Sequence, residues 1–483
     1  MIPRKRYFHL ARLVIENRTA LSIVTGHPDR SFDTALVRDA NGLPTLPGSA
    51  VAGVLRSLYW RLRAGDRPQV DRLFGHAGSD DAEPSAVQVS WGWIHAANDR
   101  PVFGLKLGEQ RRAIDSDPIL SAIGEDRFQR ERVRIGHRGS AADEGKFDRA
   151  VLPAGYRFSL EISLDSDHAE DPEWPVLLGL VNQPGFRLGA NTRAGLGAVR
   201  LVRCAQRVFD LEADEDAAAY RELGPDPGDT TLLAADDPAA VELPGVVAGE
   251  LALEPDDFFR FGGDQAVIES GPEKPADLLP RLEPCVCWDD AGARLESAML
   301  LVPGSSVKGA LAHRFAYHFN ALVGHFAEDC IGDDGEWDKS ESCPGVRALF
   351  GYTAKSQSRA GCLLIDDASQ SVARDQIRNL IHIAIDQFTG GVRRGALFSE
   401  DLVGGGGFPN IRLVLDTERL AEACKQEAVA LETVCKALRR TLHDLCEGML
   451  GLGASASRGH GFFSGRLTDS GLSAYLEEME QRS

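Results

Sequence analysis

Two segments of the chain combine a predicted helix start with basic residues one or more turns further on. Pro47-Gly48-Ser49 is followed by Arg56, and Pro303-Gly304-Ser305 is followed by Lys308 and Arg314. The first N–H groups of a helix and a serine hydroxyl can hold an anion, because that end of the helix carries partial positive charge. Both segments are therefore predicted to bind a phosphate. Residues 303–309 do not form a nucleotide P-loop, since the first glycine and the Lys-Ser/Thr ending of that motif are missing.

Two glycine-rich loops give a second kind of candidate site. Residues 189–197 and 453–461 each hold three glycines and one arginine, Arg193 or Arg458, so a sugar-phosphate chain could approach the backbone closely. Basic clusters add positive charge in both halves: Arg132, Arg134, His137 and Arg138 in the first, and Arg393 and Arg394 in the second. An ordinary tight turn and a solvated hairpin face are the alternative interpretations.

These segments recur in the same order along the chain, which indicates a tandem duplication. The matching pairs are 32–42 with 282–292, 46–56 with 302–311, 73–75 with 349–351, 133–147 with 383–398, and 189–197 with 453–461. The stretch between the copies is rich in Asp, Glu, Ala, Pro and Gly and reads as a linker. We therefore predict a first domain over 1–207, an acidic linker over 208–245 and a second domain over 246–483.

The elements that position these residues follow a β-α-β pattern in each copy. Apolar residues at 13–15 and 21–24 predict an early strand region, and those at 51, 54, 55, 58 and 62 have helical spacing after Pro47. Further strands and a second helix precede each glycine-rich loop. This order favours an α+β fold built from split βαβ, ferredoxin-like units.

The motif 33–39, Gly42, residues 46–56 and the closing glycine-rich loop together resemble the RAMP superfamily. The resemblance covers both halves and is strongest to the Csm and Cmr backbone subunits of type III CRISPR effector complexes; fused copies resemble type III-D systems. It implies two tandem modified RNA-recognition domains with inserted thumb hairpins, stacked along a guide RNA. The thumbs would displace nucleotides of the guide–target duplex, and the target RNA would be cut there.

The resemblance also implies that Asp33 is required for cleavage that depends on a divalent metal, Mg²⁺ or Mn²⁺. Such a carboxylate could hold a hydrated metal ion or help to deprotonate the 2′-hydroxyl. In the second half, counting back from Gly292 as from Gly42 places Glu283 at this position. Asp277 is a rival, because residues 276–281 also fit the motif if an insertion follows them.

Three residues of the second half are candidate ligands of a structural Zn²⁺ ion. His325, Cys330 and Cys343 could supply three ligands just before the second Leu-Phe-Gly segment. A fourth ligand and a Cys-x-x-Cys pair are not evident, and free cysteines in an acidic insertion are the main alternative.

Composition limits the functional classes. A formal net charge of −19 argues against a protein that coats nucleic acid indiscriminately, so any RNA site must be local. No apolar run approaches a membrane span, and nine mostly isolated cysteines suit a reducing compartment, so we expect a cytoplasmic protein.

The expected partners are guide RNA, complementary target RNA and other type III subunits, including the large signalling subunit and a capping subunit. Two alternatives within the same superfamily remain. One is a guide-binding scaffold without catalysis, and the other is an endonuclease that processes guide RNA through His137 or His460. A duplicated metabolic enzyme of ferredoxin-like fold would leave the paired motifs unexplained.

Overall fold

The structure is a computed structural model that describes residues 5–25, 35–77, 82–123, 128–135, 141–263, 276–325, 343–353, 358–468 and 470–482. Four residues predicted to act in a site, Asp33, His137, Arg138 and Cys330, lie outside this part of the chain, as does the side chain of Arg134. The predictions for these residues stay predictions.

The first half contains nine strands and five helices within the described residues. They are β1 (Tyr7–Asn17), β2 (Thr45–Leu46), α1 (Gly48–Leu62), α2 (Arg67–Phe74), β3 (Val87–Val89), β4 (Gly92–Ile94), α3 (Glu109–Asp115), β5 (Arg132–Ile135), β6 (Ala141–Phe147), β7 (Arg157–Ser166), α4 (Glu173–Val181), β8 (Val199–Asp210), α5 (Asp214–Glu222) and β9 (Ala234–Asp236).

The second half repeats the arrangement with a longer hairpin before its first helix. Its elements are β10 (Val246–Pro255), β11 (Gly262–Gly263), β12 (Leu279–Pro280), β13 (Leu282–Asp289), β14 (Gly292–Val302), α6 (Gly304–Val323), α7 (Pro344–Phe350), β15 (Gly351–Thr353), β16 (Ser358–Ala360), β17 (Leu363–Ile365), β18 (Ala368–Ser371), β19 (Ile377–His382), β20 (Phe398–Val403), β21 (Ile411–Asp416), α8 (Thr417–Gln426), α9 (Leu431–Cys446), β22 (Phe463–Thr468) and α10 (Ser470–Gln481).

The central sheets of the two halves have the same strand order. In the first, β3 and β4 both pair with β7 and together form one edge of the order β3/β4-β7-β1-β8, which β2 and β9 extend. The second runs β17-β21-β10-β22. Neighbouring strands are antiparallel in both sheets. If the four strands of each unit are numbered along the chain, both orders read 2-3-1-4, which is the ferredoxin-like order. The predicted α+β fold with two tandem domains is confirmed.

Each Pro-Gly-Ser segment begins a helix that covers its sheet. In α1 the buried positions Val51, Leu55 and Tyr59 recur every four residues, and α6 buries Val307 and Leu311 in the same way. Such a stripe faces one side of a helix, so burying it against the sheet removes apolar surface from water. This packing fixes where each helix N-terminus lies.

The acidic stretch 208–245 is folded against the first sheet and is not a free linker. Strand β9 pairs with β8, and Tyr220 of α5 contacts the ring of Phe8 with centroids 5.3 Å apart. The buried Arg12 guanidinium donates to the carbonyls of Gly224 and Asp229. The composition suggested a linker because Asp, Glu, Ala, Pro and Gly dominate the stretch, although its few larger apolar residues, such as Leu223 and Leu233, pack beside Phe8.

Both halves carry an inserted hairpin between the second and third strands of the sheet. The first thumb is β5–β6 and the second thumb is β19–β20. Beyond β19, the tip of the second thumb exposes apolar side chains, and Phe388 there is 88% exposed. These hairpins match the thumbs that the family resemblance implied.

The two halves pack directly on each other, and we call this contact the junction. The Trp288 indole donates to the Gly155 carbonyl at 2.7 Å, and the Arg157 guanidinium lies 4.1 Å from the Trp288 ring centroid. The Val286 N–H donates to the Ala154 carbonyl at 2.9 Å. The hairpin β13–β14 of the second half therefore holds the loop before β7 of the first.

Candidate nucleic-acid interface

Three cations from the two halves converge at the junction. Arg132 begins β5, Arg193 lies in the first glycine-rich loop, and Lys308 lies early in α6. Each donates to a main-chain carbonyl, at 3.2, 2.6 and 3.1 Å respectively. Within the described part of the chain, none of the three forms an ion pair with a carboxylate. We call this group the junction cations.

Burial and mutual repulsion disfavour the charged forms of the junction cations, and a bound anion would offset both effects. Burial, together with the positive charges of Arg193 and Arg132, lowers the pKa of Lys308 to about 8. Burial and the neighbouring Arg130 lower the pKa of Arg132 to about 10. The pKa of Arg193 is also lowered, by burial and by the charge of Arg419. A phosphate placed among these side chains would be strongly favoured.

A buried ion-pair network holds this cluster in place. Arg130, 4% exposed, donates to Glu283 at 2.5 Å and also pairs with Asp367. Burial disfavours the charge on Arg130, but Asp367 and Glu283 outweigh it and raise its pKa. Arg187 and Asp366 form a second buried pair. All of these pairs join the first half to the second.

The start of α6 already holds a carboxylate. The Gly304 N–H donates to Oδ1 of Asp367 at 2.8 Å, so the helix N-terminus predicted to bind phosphate is occupied by a side chain of the chain itself. Gly195 of the first glycine-rich loop fits against the same carboxylate, and a Cβ at this residue would collide with it. Gly195 has φ +111°, a conformation that favours glycine.

The start of α1 differs from that of α6, because Asp367 accepts from the Gly304 N–H but no side chain among the described residues accepts from the Gly48 N–H. Gly48 is buried against the carbonyls of Val89 and Ser90, whereas Ser49 is exposed. In α6 the corresponding Ser305 is partly buried. The structure therefore leaves the first Pro-Gly-Ser segment more open than the second.

Other predicted RNA-binding residues lie apart from the junction cations. Arg56 pairs with Asp71 at 3.1 Å, and Arg314 pairs with Asp444 at 2.5 Å. Both arginines therefore have carboxylate partners on their own half. Arg393 and Arg394 are exposed in the loop between the strands of the second thumb.

Arg458 belongs to a cluster around a fully buried carboxylate, Glu400. Arg458 and Arg260 approach Glu400 at 3.4 Å, and Nε2 of His382 lies 2.7 Å from it. Burial alone would raise the pKa of Glu400, but the hydrogen bond from Ser455 and these positive charges lower it. The second glycine-rich loop is thus tied to the base of the second thumb.

Main-chain hydrogen bonds show which residues of the two halves are equivalent near the predicted cleavage position. The Val37 N–H donates to the Ile23 carbonyl at 2.9 Å, and the Arg281 N–H donates to the Phe261 carbonyl at 2.7 Å. The carbonyls of Val37 and Arg281 accept in turn, at 3.1 and 2.9 Å, from the residue two positions before each Pro-Gly-Ser segment. Val37 and Arg281 are therefore equivalent.

Four residues upstream of this position lie Asp33 in one half and Asp277 in the other. This register favours Asp277 as the counterpart of Asp33 over Glu283, the position obtained by counting back from the glycines. The two assignments differ because the hairpin 282–300 of the second half is longer than the turn 38–44 of the first. The roles of these carboxylates in cleavage stay predictions.

The structure does not assemble a zinc site from the described residues. Cys343 Sγ contacts Asn320 at 3.5 Å, His325 is exposed, and Cys330 lies outside the described residues. In that part of the chain no group of three His, Cys, Asp or Glu side chains could hold a metal ion.

A family model described as the RAMP superfamily matches residues 17–200 and 293–464. The chain belongs to the RAMP superfamily. Two matches, one in each half, confirm the tandem arrangement, and the RAMP superfamily is associated with CRISPR systems of type III and with RNA. RAMP proteins act together with RNA and other subunits. A search of curated proteins found no match.

No helix in the described ranges is both long enough and apolar enough to span a bilayer. Sequence reasoning missed Arg130 and Asp367, which hold the junction, and Ser399, which contacts Asp277. The only available signal was the Asp366-Asp367 pair directly after the apolar run 363–365. Nothing in the sequence indicates which distant arginines these carboxylates meet.

Proposed function

We propose that this RAMP protein is a backbone subunit of a type III CRISPR complex that binds guide RNA across its junction. We further propose that it cleaves complementary target RNA at two positions, one set by Asp33 and one by Asp277. The observation that carries the proposal is the convergence of Arg132, Arg193 and Lys308 without carboxylate partners among the described residues.

A guide RNA phosphate suits the junction cations for two reasons. The cluster is local, which agrees with a chain whose overall charge is −19. Its three side chains come from the first thumb, the first glycine-rich loop and α6, so a strand bound there would cross from one half to the other. Backbone contacts of this kind position an RNA without reading its sequence.

The cleavage part of the proposal depends on the register that equates Asp277 with Asp33. Asp277 is exposed at the base of the second thumb, where RNA displaced by the thumb would pass. A single carboxylate with RNA phosphates suits Mg²⁺ or Mn²⁺, which keep several water ligands. The metal would supply charge stabilisation, while the protein aligns the 2′-hydroxyl with the scissile phosphate.

The experiment is to assemble the complex with guide RNA and an end-labelled complementary target. Cleavage in Mg²⁺ is compared for wild type, Asp33→Ala, Asp277→Ala and Glu283→Ala, with target binding measured in parallel. Asp33→Ala and Asp277→Ala should each remove one cut and retain binding, and Glu283→Ala should retain both cuts in complexes that assemble. Unchanged cuts in both aspartate variants would contradict the nuclease assignment and favour a guide-binding scaffold.

A further inference from the structure

The second thumb makes direct hydrogen bonds to Asp277. Oδ2 of Asp277 accepts from the Ser399 N–H at 2.9 Å and from the Ser399 hydroxyl at 3.2 Å. The Asp277 N–H in turn lies 3.2 Å from Ser399 Oγ. Ser399 belongs to strand β20, and thus to the thumb itself.

The main chain reinforces this contact on both sides of Asp277. The Leu278 N–H donates to the Ser399 carbonyl at 3.0 Å, and the Asp401 N–H donates to the Leu278 carbonyl at 2.9 Å. The segment that carries Asp277 therefore runs alongside β20 as a short parallel bridge between Leu278 and Glu400. A movement of β20 would move the carboxylate with it.

The base of the thumb is rigid next to this contact. Glu400, the residue after Ser399, is fully buried and is held by Arg260, Arg458 and Ser455. The thumb beyond this point is exposed and apolar. The structure thus joins a surface suited to contact RNA, through a fixed base, to the carboxylate oxygen of Asp277.

We propose that Ser399 is a positioning residue for Asp277, so that the thumb strand sets the orientation of the carboxylate during target cleavage. This inference rests on the proposed function, because it assigns Asp277 to the second cut. The Ser399 hydroxyl fixes one carboxylate oxygen in the direction that β20 dictates. Loss of this hydroxyl leaves the N–H bond to Asp277 and removes one of the two hydrogen bonds by which Ser399 orients Oδ2.

The test uses the assembled complex with guide RNA, and the Asp33 cut serves as an internal control in the same molecule. Ser399→Ala should slow the Asp277 cut about tenfold, the effect of losing one hydrogen bond to a charged group, and leave target affinity and the Asp33 cut unchanged. Ser399→Thr, which keeps a hydroxyl, should restore the rate. Asn379→Ala is the matched control, because Asn379 bonds Asp401 in the same hairpin and not Asp277.

Equal slowing of both cuts, or a loss of target affinity with Ser399→Ala, would overturn the proposal, as would a wild-type rate. A second measurement does not depend on cleavage. Amide hydrogen exchange at Ser399 should speed up in Asp277→Ala, because its N–H loses the carboxylate acceptor. If wild type makes no cut, the proposed function fails, and unchanged exchange at Ser399 would independently overturn the contact.

Discussion

The junction between the two halves holds a buried ion pair at positions that carry apolar residues at the two open ends, which are the face of the first half around Trp91 and the face of the second half around Leu380. At the junction Arg130 of the first thumb meets Asp367, which follows β17. At the open end of the first half, the residue in the place of Asp367 is Trp91, which follows β3 by the same interval and is 49% exposed.

The open end of the second half shows the matching difference. The main chain of Arg130 is hydrogen-bonded to that of Arg149 at the base of the first thumb. At the same place in the second thumb, the main chain of Leu380 pairs with that of Glu400. Leu380 of the second half is therefore the structural equivalent of Arg130 of the first. The comparison teaches that the two halves share a fold but differ in their contact faces: an ion pair holds the junction where Trp91 and Leu380 stand at the open ends.

The same comparison explains why RNA binding should concentrate at the junction. Lys308 corresponds to Ala52 in the first half, four residues after the glycine of each Pro-Gly-Ser segment. Arg132 corresponds to His382, which lies beside the buried Glu400. Within the described residues, the three junction cations thus have no carboxylate partner, whereas His382 at the open end of the second half lies beside Glu400.

The largest expected effect comes from breaking the charged junction. Arg130→Met would leave Glu283 and Asp367 buried without their shared cation, which should lower the free energy of unfolding by about 3 to 5 kcal/mol. Chemical denaturation measures this directly. The control is Arg294→Met, whose ion pairs are exposed and should contribute less than about 1 kcal/mol. Equal small losses would show that the junction is not held by these pairs.

The next effect separates binding from stability at Lys308. Lys308→Met should weaken guide RNA binding roughly tenfold, because it removes a charge placed for phosphate. It should also raise the free energy of unfolding of the RNA-free chain by about 1 to 3 kcal/mol, since the folded state then no longer buries a destabilised ammonium group. Lys425→Met, at an exposed position of α8 outside the predicted RNA-binding residues, is the control. A drop in both quantities would contradict this account.

Guide RNA affinity should also depend on pH. The pKa of Lys308 is about 8 in the free protein, so the side chain is charged below pH 8 and loses its proton above it. Affinity should therefore be full near pH 7 and fall as pH rises through 8 to 9. Lys308→Arg should flatten the profile, because arginine stays charged. Titration by fluorescence anisotropy at constant ionic strength measures it, and the same slope in both proteins would exclude Lys308 as the source.

The smallest effect is expected at the open end. Trp91→Asp gives that face the charge that Asp367 has at the junction, and its partial exposure predicts a stability change below about 0.5 kcal/mol. Trp91→Asp should instead reduce incorporation of the chain into the assembled complex. Co-purification of the other subunits measures this effect. A large loss of thermal stability would mean that Trp91 packs within the chain.

Much of the fold could be predicted from local sequence. The helical spacing after Pro47 and the repeated motifs predicted two units with the same order of elements, because these features depend on neighbouring residues. The fold of 208–245 could not be predicted, since it depends on the buried Arg12 and on pairing of β9 with a distant strand.

The site was predicted only in part. Arg193 and Lys308 were identified from their motifs, but their meeting across the junction requires the packing of two domains. Asp277 could not be ranked above Glu283, because the length of the β13–β14 hairpin is fixed by strand pairing and not by local residues.

The most direct test of guide binding at the junction is photo-crosslinking of the assembled complex with guide RNA that carries 4-thiouridine. Mass spectrometry would then locate the crosslinked peptides. We predict crosslinks in the peptides that contain Arg132, Arg193 and Lys308, lost together when all three are neutralised. Crosslinks confined to the open ends around Trp91 and Leu380, with none at the junction, would contradict the account.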